Sequence, residues 1–529
     1  MNTFPFITVL TLIPLAGAAL LVGLGRHHRK LARWLALGFS FLALVVAVTM
    51  WIQFKSLSGE LQFEETAEWI PSLKLSGGQG VQYHVGVDGL GLLMVLLSAI
   101  VVPMAMLASW KIVERVPLYF ALVLFLQAGL FGTFTALNFF HWFIFWELSL
   151  IPAFFLIKLW GGPLRTTAAS QFFVYTMVGS VAMLLAFLAL FLATGTFDFA
   201  KLAEIGRSGT LASALSVNLT WHRLFSAPGS ETILAAVIFA GAFLGFAVKV
   251  PLVPFHTWLP STYAEAPTGT TMLLTGVMSK MGVYGFLRIL LPIFPEQMRA
   301  LLTPLLWLAV ATIIFSAGAA FAQRDLKRVL AYSSINHLGY CLLGIFAVAR
   351  FTGSQTGSSI EKAAALNGVF LQMFNHGLTA ATLFWFVGFL EERGAGLRGL
   401  NDFGGLRKIA PVFCGLIGIA LFSSLGLPGL NGFIGEFLIF KGAFPLATWA
   451  TALSVIGLLV TAIFILTILQ RVFSGPLNQK WAKLPDLTLT ERVVVLPAIA
   501  LMLILGIYPQ LVLGVINSTV VQMVDQLKF

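Results

Sequence analysis

An all-α polytopic membrane protein, with about fourteen transmembrane helices and two inverted five-helix repeats, is the fold this sequence predicts. Three observations support it. First, the chain has 529 residues of which 58% are hydrophobic and only 10% charged, whereas a soluble domain carries about a quarter charged residues. Second, apolar runs of roughly 20 residues, the length that crosses a bilayer core, recur about fourteen times. Third, two of those runs are interrupted by proline close to a charge: AGAFLGFAVKVPLVPFHTWLP at 240–260 and SSLGLPGLNGFIGEF at 423–437. Proline removes a backbone donor and frees carbonyls, which a membrane tolerates only where protein or water lines the gap. A pair of broken, charged spans at matching places is the sequence mark of an ion path between inverted repeats.

In chain order, the spans centre near residues 15, 43, 99, 127, 149, 181, 240, 280, 310, 339, 376, 425, 459 and 504. The N-terminal run has no basic stretch ahead of it and reads as a retained first helix rather than a cleaved signal. Residues 1–115 hold helices 1–3 with an outward loop. Residues 116–295 form the first repeat (helices 4–8), 296–475 the second (helices 9–13) and 476–529 a C-terminal helix 14. Glu147 in span 5 is followed 102 residues later (249 − 147) by Lys249 in the broken span 7, and His337 in span 10 is followed 99 later (436 − 337) by Glu436 in the broken span 12. Five spans per unit is an odd number, so the second unit is inverted.

The net charge of +11 would suggest nucleic acid in a soluble protein. Here the positive-inside rule explains it better: with both termini outside, most Lys and Arg, including Arg26, Arg29, Lys30 and Arg33, fall in inward loops. The longer outward segments near 55–87 and 195–230 read as covering loops with a short hairpin or amphipathic helix. Two cysteines, Cys341 and Cys414, lie in apolar runs and cannot supply a four-thiolate cluster. GAGLRG at 394–399 matches a glycine-rich phosphate loop but follows a helix instead of a strand, so no nucleotide site is assigned to it.

The chemistry is expected at the buried ionisable groups. A charge near mid-bilayer costs roughly 2.5–3.5 kcal/mol on insertion scales, so such groups are paired, hydrated or functional. Glu147 sits in FFHWFIFWELSLIPAFF and Lys249 ends the first half of span 7. Burial disfavours charge on a lysine and a nearby carboxylate restores it, so a pair that forms and separates switches proton affinity. Static helix pairing, and snorkelling of Lys249 to the interface, are the plain alternatives. Lys280 lies mid-segment, where snorkelling is harder. His337 and His376, with Ser334, Asn336 and Asn375 nearby, suit a relay between waters near neutral pH; a satisfied core histidine is the alternative. Glu436 closes the series. Together these six residues form a candidate lateral polar axis.

At these residues the sequence resembles the antiporter-like, proton-translocating membrane subunits of respiratory complex I. The resemblance rests on FHWFIFWELSLIP, FAVKVPLVPFHTWLPSTYAEAPTGTTMLLTGVMSKMGVYGFLRI, FAQRDLKRVLAYSSINHLGY, FNHGLTAATLF and GLPGLNGFIGEF. By position it implies that Glu147 and Lys249 are a switching pair, Lys280 a link between the halves, His337 and His376 relays, and Glu436 the proton-release residue. Glutamate instead of lysine at 436, and a chain that ends soon after span 14, set it apart from the L and N branches. The resemblance further implies no cofactor on this chain, with NAD, FMN, iron–sulfur clusters and quinone on partner subunits. It implies L- and N-type neighbours and a bacterial plasma membrane, with thylakoid as the alternative. A subunit of a multi-subunit sodium/proton antiporter and a hydrogenase membrane arm are the competing readings.

Overall fold

The computed structural model describes residues 4–25, 27–56, 59–71, 81–218, 230–350 and 356–527; Arg26 and the middle of the 195–230 loop lie outside them. Helices α1 (Phe6–Gly23), α2 (Arg29–Gln53) and α3 (Gly89–Ala108) make the first three spans. Helices α4 (Val116–Thr135), α5 (Phe139–Trp160) and α6 (Arg165–Thr194) make spans 4 to 6. After the short α7 (Phe199–Arg207) and α8 (Leu211–Asn218), span 7 follows in two pieces, α9 (Ser230–Lys249) and α10 (Trp258–Glu265). Span 8 is α11 (Thr268–Ile293). A short α12 (Pro295–Ala300) leads to α13 (Leu302–Ala322), α14 (Leu326–Val348) and α15 (Thr356–Arg393). Span 12 is again in two pieces, α16 (Pro411–Leu425) and α17 (Asn431–Leu446). Spans 13 and 14 are α18 (Thr448–Phe473) and α19 (Leu489–Ile507). Twelve of these helices are long and apolar enough to cross a bilayer, and Ile233–Lys249 and Pro411–Leu425 are the shorter apolar pieces that begin the broken spans.

One element differs from expectation. Residues 476–529 do not hold a single helix: beyond Tyr508 and Pro509 the chain forms α20 (Gln510–Gln526). Val512, Ile516, Val520 and Val524 on α20 are buried, a one-sided stripe at helical spacing. The hairpin expected near 55–87 is present as β1 (Gln62–Ile70) and β2 (Val81–Val87), antiparallel, with Glu65 opposite Val85 and Thr66 opposite His84.

Burial grades from flank to centre. The apolar windows of α11, α14 and α15 are 94%, 94% and 100% buried, against 33% for α2, α18 and α19. The three central helices also bear Lys280, His337 and His376, so the fold places these groups where neighbouring helices, not lipid, surround them.

Both breaks satisfy the backbone groups they free. After Lys249 the Trp258 indole donates to the Val248 carbonyl at 3.0 Å, and Val253 N–H donates to Thr312 Oγ1 at 3.1 Å. In span 12, Gly426 caps α16 in a left-handed conformation (φ 81°), which glycine adopts without a Cβ penalty. A Cβ at Gly432 would stand 1.9 Å from the Ser423 carbonyl oxygen, so only glycine lets α17 begin against the end of α16.

Candidate functional site

Lys249 is the last residue of α9, 3% exposed, with its ammonium 4.9 Å from the Trp146 ring centroid. A ring face holds a desolvated cation by its quadrupole. Trp146 is fixed in turn by its indole N–H, which donates to Ser180 Oγ at 2.9 Å. Glu147 is the next residue on α5, half-buried, and its Oε1 is enclosed without a hydrogen-bond partner. Among the described residues Glu147 and Lys249 make no ion pair, although each feels the other's charge. The structure thus holds the pair in a separated arrangement, with the lysine resting on an aromatic shelf.

Lys280 lies in α11 between two π-helical turns, Leu274–Met278 and Phe286–Leu290. π-turns inside α-helices often mark functional sites, and in the first of these the Thr275 carbonyl accepts from Lys280 Nζ and from Ser279 Oγ. The fully buried ammonium also lies 2.8 Å from His376 Nδ1 on α15. When the lysine is protonated that nitrogen must be the acceptor, so the imidazole proton resides on Nε2. The two bases are thereby joined by a single hydrogen bond.

From His376 the row continues without a gap. The rings of His376 and His337 are 5.1 Å apart at their centroids. On its other side His337 Nδ1 stands 3.2 Å from Glu436 Oε1, within ion-pair range but not aligned for a hydrogen bond, while Nε2 lies 3.2 Å from Ser424 Oγ. Glu436, on α17, is 6% exposed and is approached by Gln372 Nε2 at 3.4 Å. Its Oε2 would lie 2.7 Å from a Cβ at Gly426, so the carboxylate sits over the break itself. Four helices, α11, α15, α14 and α17, therefore bring Lys280, His376, His337 and Glu436 together as a contiguous row.

The link between Lys249 and Lys280 is different in kind. Phe246 and Val250 pack against Gly282 there, and Ser149 Oγ faces the Met281 sulfur at 3.7 Å. Among the described residues no titratable side chain bridges the two lysines. Of the six candidate positions the structure joins Lys280, His376, His337 and Glu436 and leaves Glu147 and Lys249 apart from them; the Trp146 shelf, the Thr275 carbonyl and Ser424 were not expected from the sequence. The available signals were faint: Trp146 adjoins Glu147, and Ser424 stands two residues before Gly426, the glycine of the break.

Charge clusters also mark both ends of the helix bundle. At one end Arg398 reaches Asp325 at 2.6 Å, Glu391 at 3.1 Å and Glu265 at 3.6 Å, and Lys327 pairs with Glu391 at 2.6 Å. This is the loop that matches GxGxxG; Ala395 and Gly396 take positive φ there, and its arginine ties the ends of α10, α14 and α15. At the other end His84 bridges Asp198 at 2.9 Å and Glu64 at 2.7 Å. The hydrogen bond to Asp198 raises the His84 pKa above its usual value against the opposing effect of burial, with Glu64 adding to the rise.

The broken helices and the buried row define an antiporter-type membrane subunit of the kind that moves protons. Residues 136–463 match the family model described as NADH:quinone oxidoreductase/Mrp antiporter, TM. The chain is 34% identical over 524 residues to NADH-quinone oxidoreductase subunit M of Rhodobacter capsulatus, covering 98% of this chain and 96% of that one. It is 35% identical over 532 residues to subunit M of Escherichia coli K12, covering 97% and 96%. Among solved structures, a chain of respiratory complex I from Thermus thermophilus with bound NADH superposes with a TM-score of 0.80 at 28% identity, covering 98% of this chain and 99% of that one. A chain of the Mrp complex from Dietzia sp. shares the fold at 20% identity, TM-score 0.82, over 100% of both chains. This chain belongs to the NADH-quinone oxidoreductase subunit M family, as an antiporter-like, proton-translocating membrane subunit of complex I.

Proposed function

We propose that protons cross this subunit along the six-residue row. Separation and closure of the Glu147–Lys249 pair set the proton affinity of Lys249. Its charge acts on Lys280 across the apolar stretch between them, and Lys280 passes a proton through His376 and His337 to Glu436, which releases it on the outward side. The observation that best supports this reading is the unbroken contact series from Lys280 to Glu436. Four ionisable groups at roughly 3 kcal/mol each are too costly to bury as a packing device alone, and a hydrogen-bonded Lys–His pair is the minimal unit of a relay.

In this reading the driving energy comes from quinone reduction elsewhere in the enzyme. NAD, FMN, iron–sulfur clusters and quinone reside on partner subunits, and L- and N-type subunits flank this chain. The membrane is the bacterial plasma membrane, with both termini outward, and residues 116–295 and 296–475 act as the two inverted units. The test is Lys249→Ala in the whole enzyme reconstituted in liposomes. The proposal expects proton uptake per NADH oxidised to fall sharply while the enzyme still assembles; pumping at normal stoichiometry overturns it.

A further inference from the structure

A groove of about 750 Å³ opens at the inward end of the molecule, away from the proton row. It lies between α2 and α19, over the meeting ends of α3, α11 and α15. Leu107, Ala108, Trp385, Phe389 and Val494 line its depth, and Lys111 and Glu392 stand at its mouth. The outward end of the same seam is closed by α20, whose Thr519 Oγ1 accepts from Gly89 N–H at 2.9 Å and whose Asn517 Oδ1 accepts from Asn367 Nδ2 at 2.8 Å. Among the described residues nothing covers the inward end in the same way.

From this we infer that the groove binds one zwitterionic, amine-bearing phospholipid of the inward leaflet. The flanking surfaces are apolar and exposed on the single chain: Trp34 and Leu31 on α2 are 64% and 49% exposed, and Leu489 and Val493 on α19 are 76% and 58% exposed. An apolar groove at that depth, open to the side, takes up acyl chains. Its mouth has both signs of charge. Lys111, 71% exposed, pairs with Glu392, and this exposed pair is readily exchanged for ligand contacts. Arg33 stands behind the Lys111 lip with its guanidinium 5.9 Å from the Trp110 ring and an enclosed Nε–H that has no acceptor. A phosphate meets the Lys111–Arg33 side, and a primary ammonium meets Glu392 on the opposite lip. An anionic headgroup would satisfy the first side and leave the carboxylate facing like charge. Trp34, Trp110 and Trp385 supply the amphipathic rings that favour the headgroup level.

Such a lipid has a structural consequence. Ser109 lines the groove and starts a hydroxyl string, Ser109 to Tyr119 at 2.8 Å and Tyr119 to Thr270 at 3.3 Å, that leads into the helix of Lys280. Acyl chains over Ser109 keep water off that string.

The test uses the intact enzyme in liposomes with a phosphatidylethanolamine analogue bearing a diazirine in its acyl chain. Photolysis is expected to label peptides 107–112 and 385–392, and Ala108→Trp, which fills the groove, is expected to reduce that labelling severalfold in assembled enzyme. Lys111→Glu, at an exposed site that should not disturb folding, is expected to reduce it as well. Three results overturn the proposal: no label on these peptides in the unaltered enzyme, equal labelling by the phosphatidylglycerol analogue, or a cross-link from a neighbouring subunit in place of lipid.

Discussion

Lys280 and His376 show how few ordinary side chains the proposed relay needs. The lysine ammonium has three donors and the neutral imidazole one lone pair, and the Thr275 carbonyl is the third participant. At the other end of the row His337 stands between Ser424 and Glu436. Replacing Glu436 by Gln keeps the shape and Gln372 as a neighbour but removes the terminal proton acceptor. Glu436→Gln is expected to lower proton translocation at least about tenfold, a change worth roughly 1.4 kcal/mol in the governing barrier, with Glu436→Asp retaining part of it. Quenching of a pH-sensitive dye in inverted vesicles reads the difference, and equal quenching in both variants contradicts the assignment. The identities of these residues were legible in the sequence, because charge in an apolar run is expensive and therefore conspicuous. Their partners were not. Nothing near position 280 points to position 376, since that contact depends on how α11 and α15 pack.

At the scale of elements, the two broken spans are specific pieces of backbone engineering. The Trp258 indole satisfies the Val248 carbonyl next to Lys249, so Trp258→Phe leaves a buried acceptor unpaired at a cost of about 1–3 kcal/mol. A lower midpoint for thermal disassembly of the complex is the expected result, and an unchanged midpoint contradicts the role given to the indole. The β1–β2 hairpin is held down by His84 between Asp198 and Glu64. Its pKa is raised in the folded state, so this anchoring is fully present below the unfolded value of about 6.5 and is lost as pH rises through the folded value. Amide exchange of residues 81–87, corrected for intrinsic rates, is expected to quicken on going from pH 6 to above that folded value, roughly within the histidine range. His84→Gln should flatten the dependence, and a pH-independent profile in the unaltered chain contradicts it. The hairpin could be foreseen as a covering loop. Helix α20 could not: its apolar stripe is four residues spaced for one face, too weak a signal beside the continuous apolar run of α19 that precedes it.

On the scale of the whole molecule, the architecture was the most legible part. Span length is set by bilayer thickness and orientation by the placement of lysine and arginine, both of which are local properties of sequence. The structure adds how the pieces are held in register. Arg398 joins Asp325, Glu391 and Glu265, tying the end of span 7 to spans 10 and 11. Arg398→Ala takes the cation from Asp325 and Glu265 while Glu391 keeps Lys327, and a loss of about 1–3 kcal/mol is expected to appear as a reduced yield of assembled complex; wild-type yield and stability contradict it. The buried row is uneven, contiguous from Lys280 to Glu436 and apolar between Lys249 and Lys280. In the proposed relay that unevenness makes Lys280 the residue whose loss should cost most. The most direct measurement is the ratio of protons moved to NADH oxidised by reconstituted enzyme carrying Lys280→Met, which keeps the length of the side chain and removes its charge. A marked fall in that ratio or in its absolute rate, with normal assembly, is the predicted result, and an unaltered ratio at unaltered rate would contradict the relay.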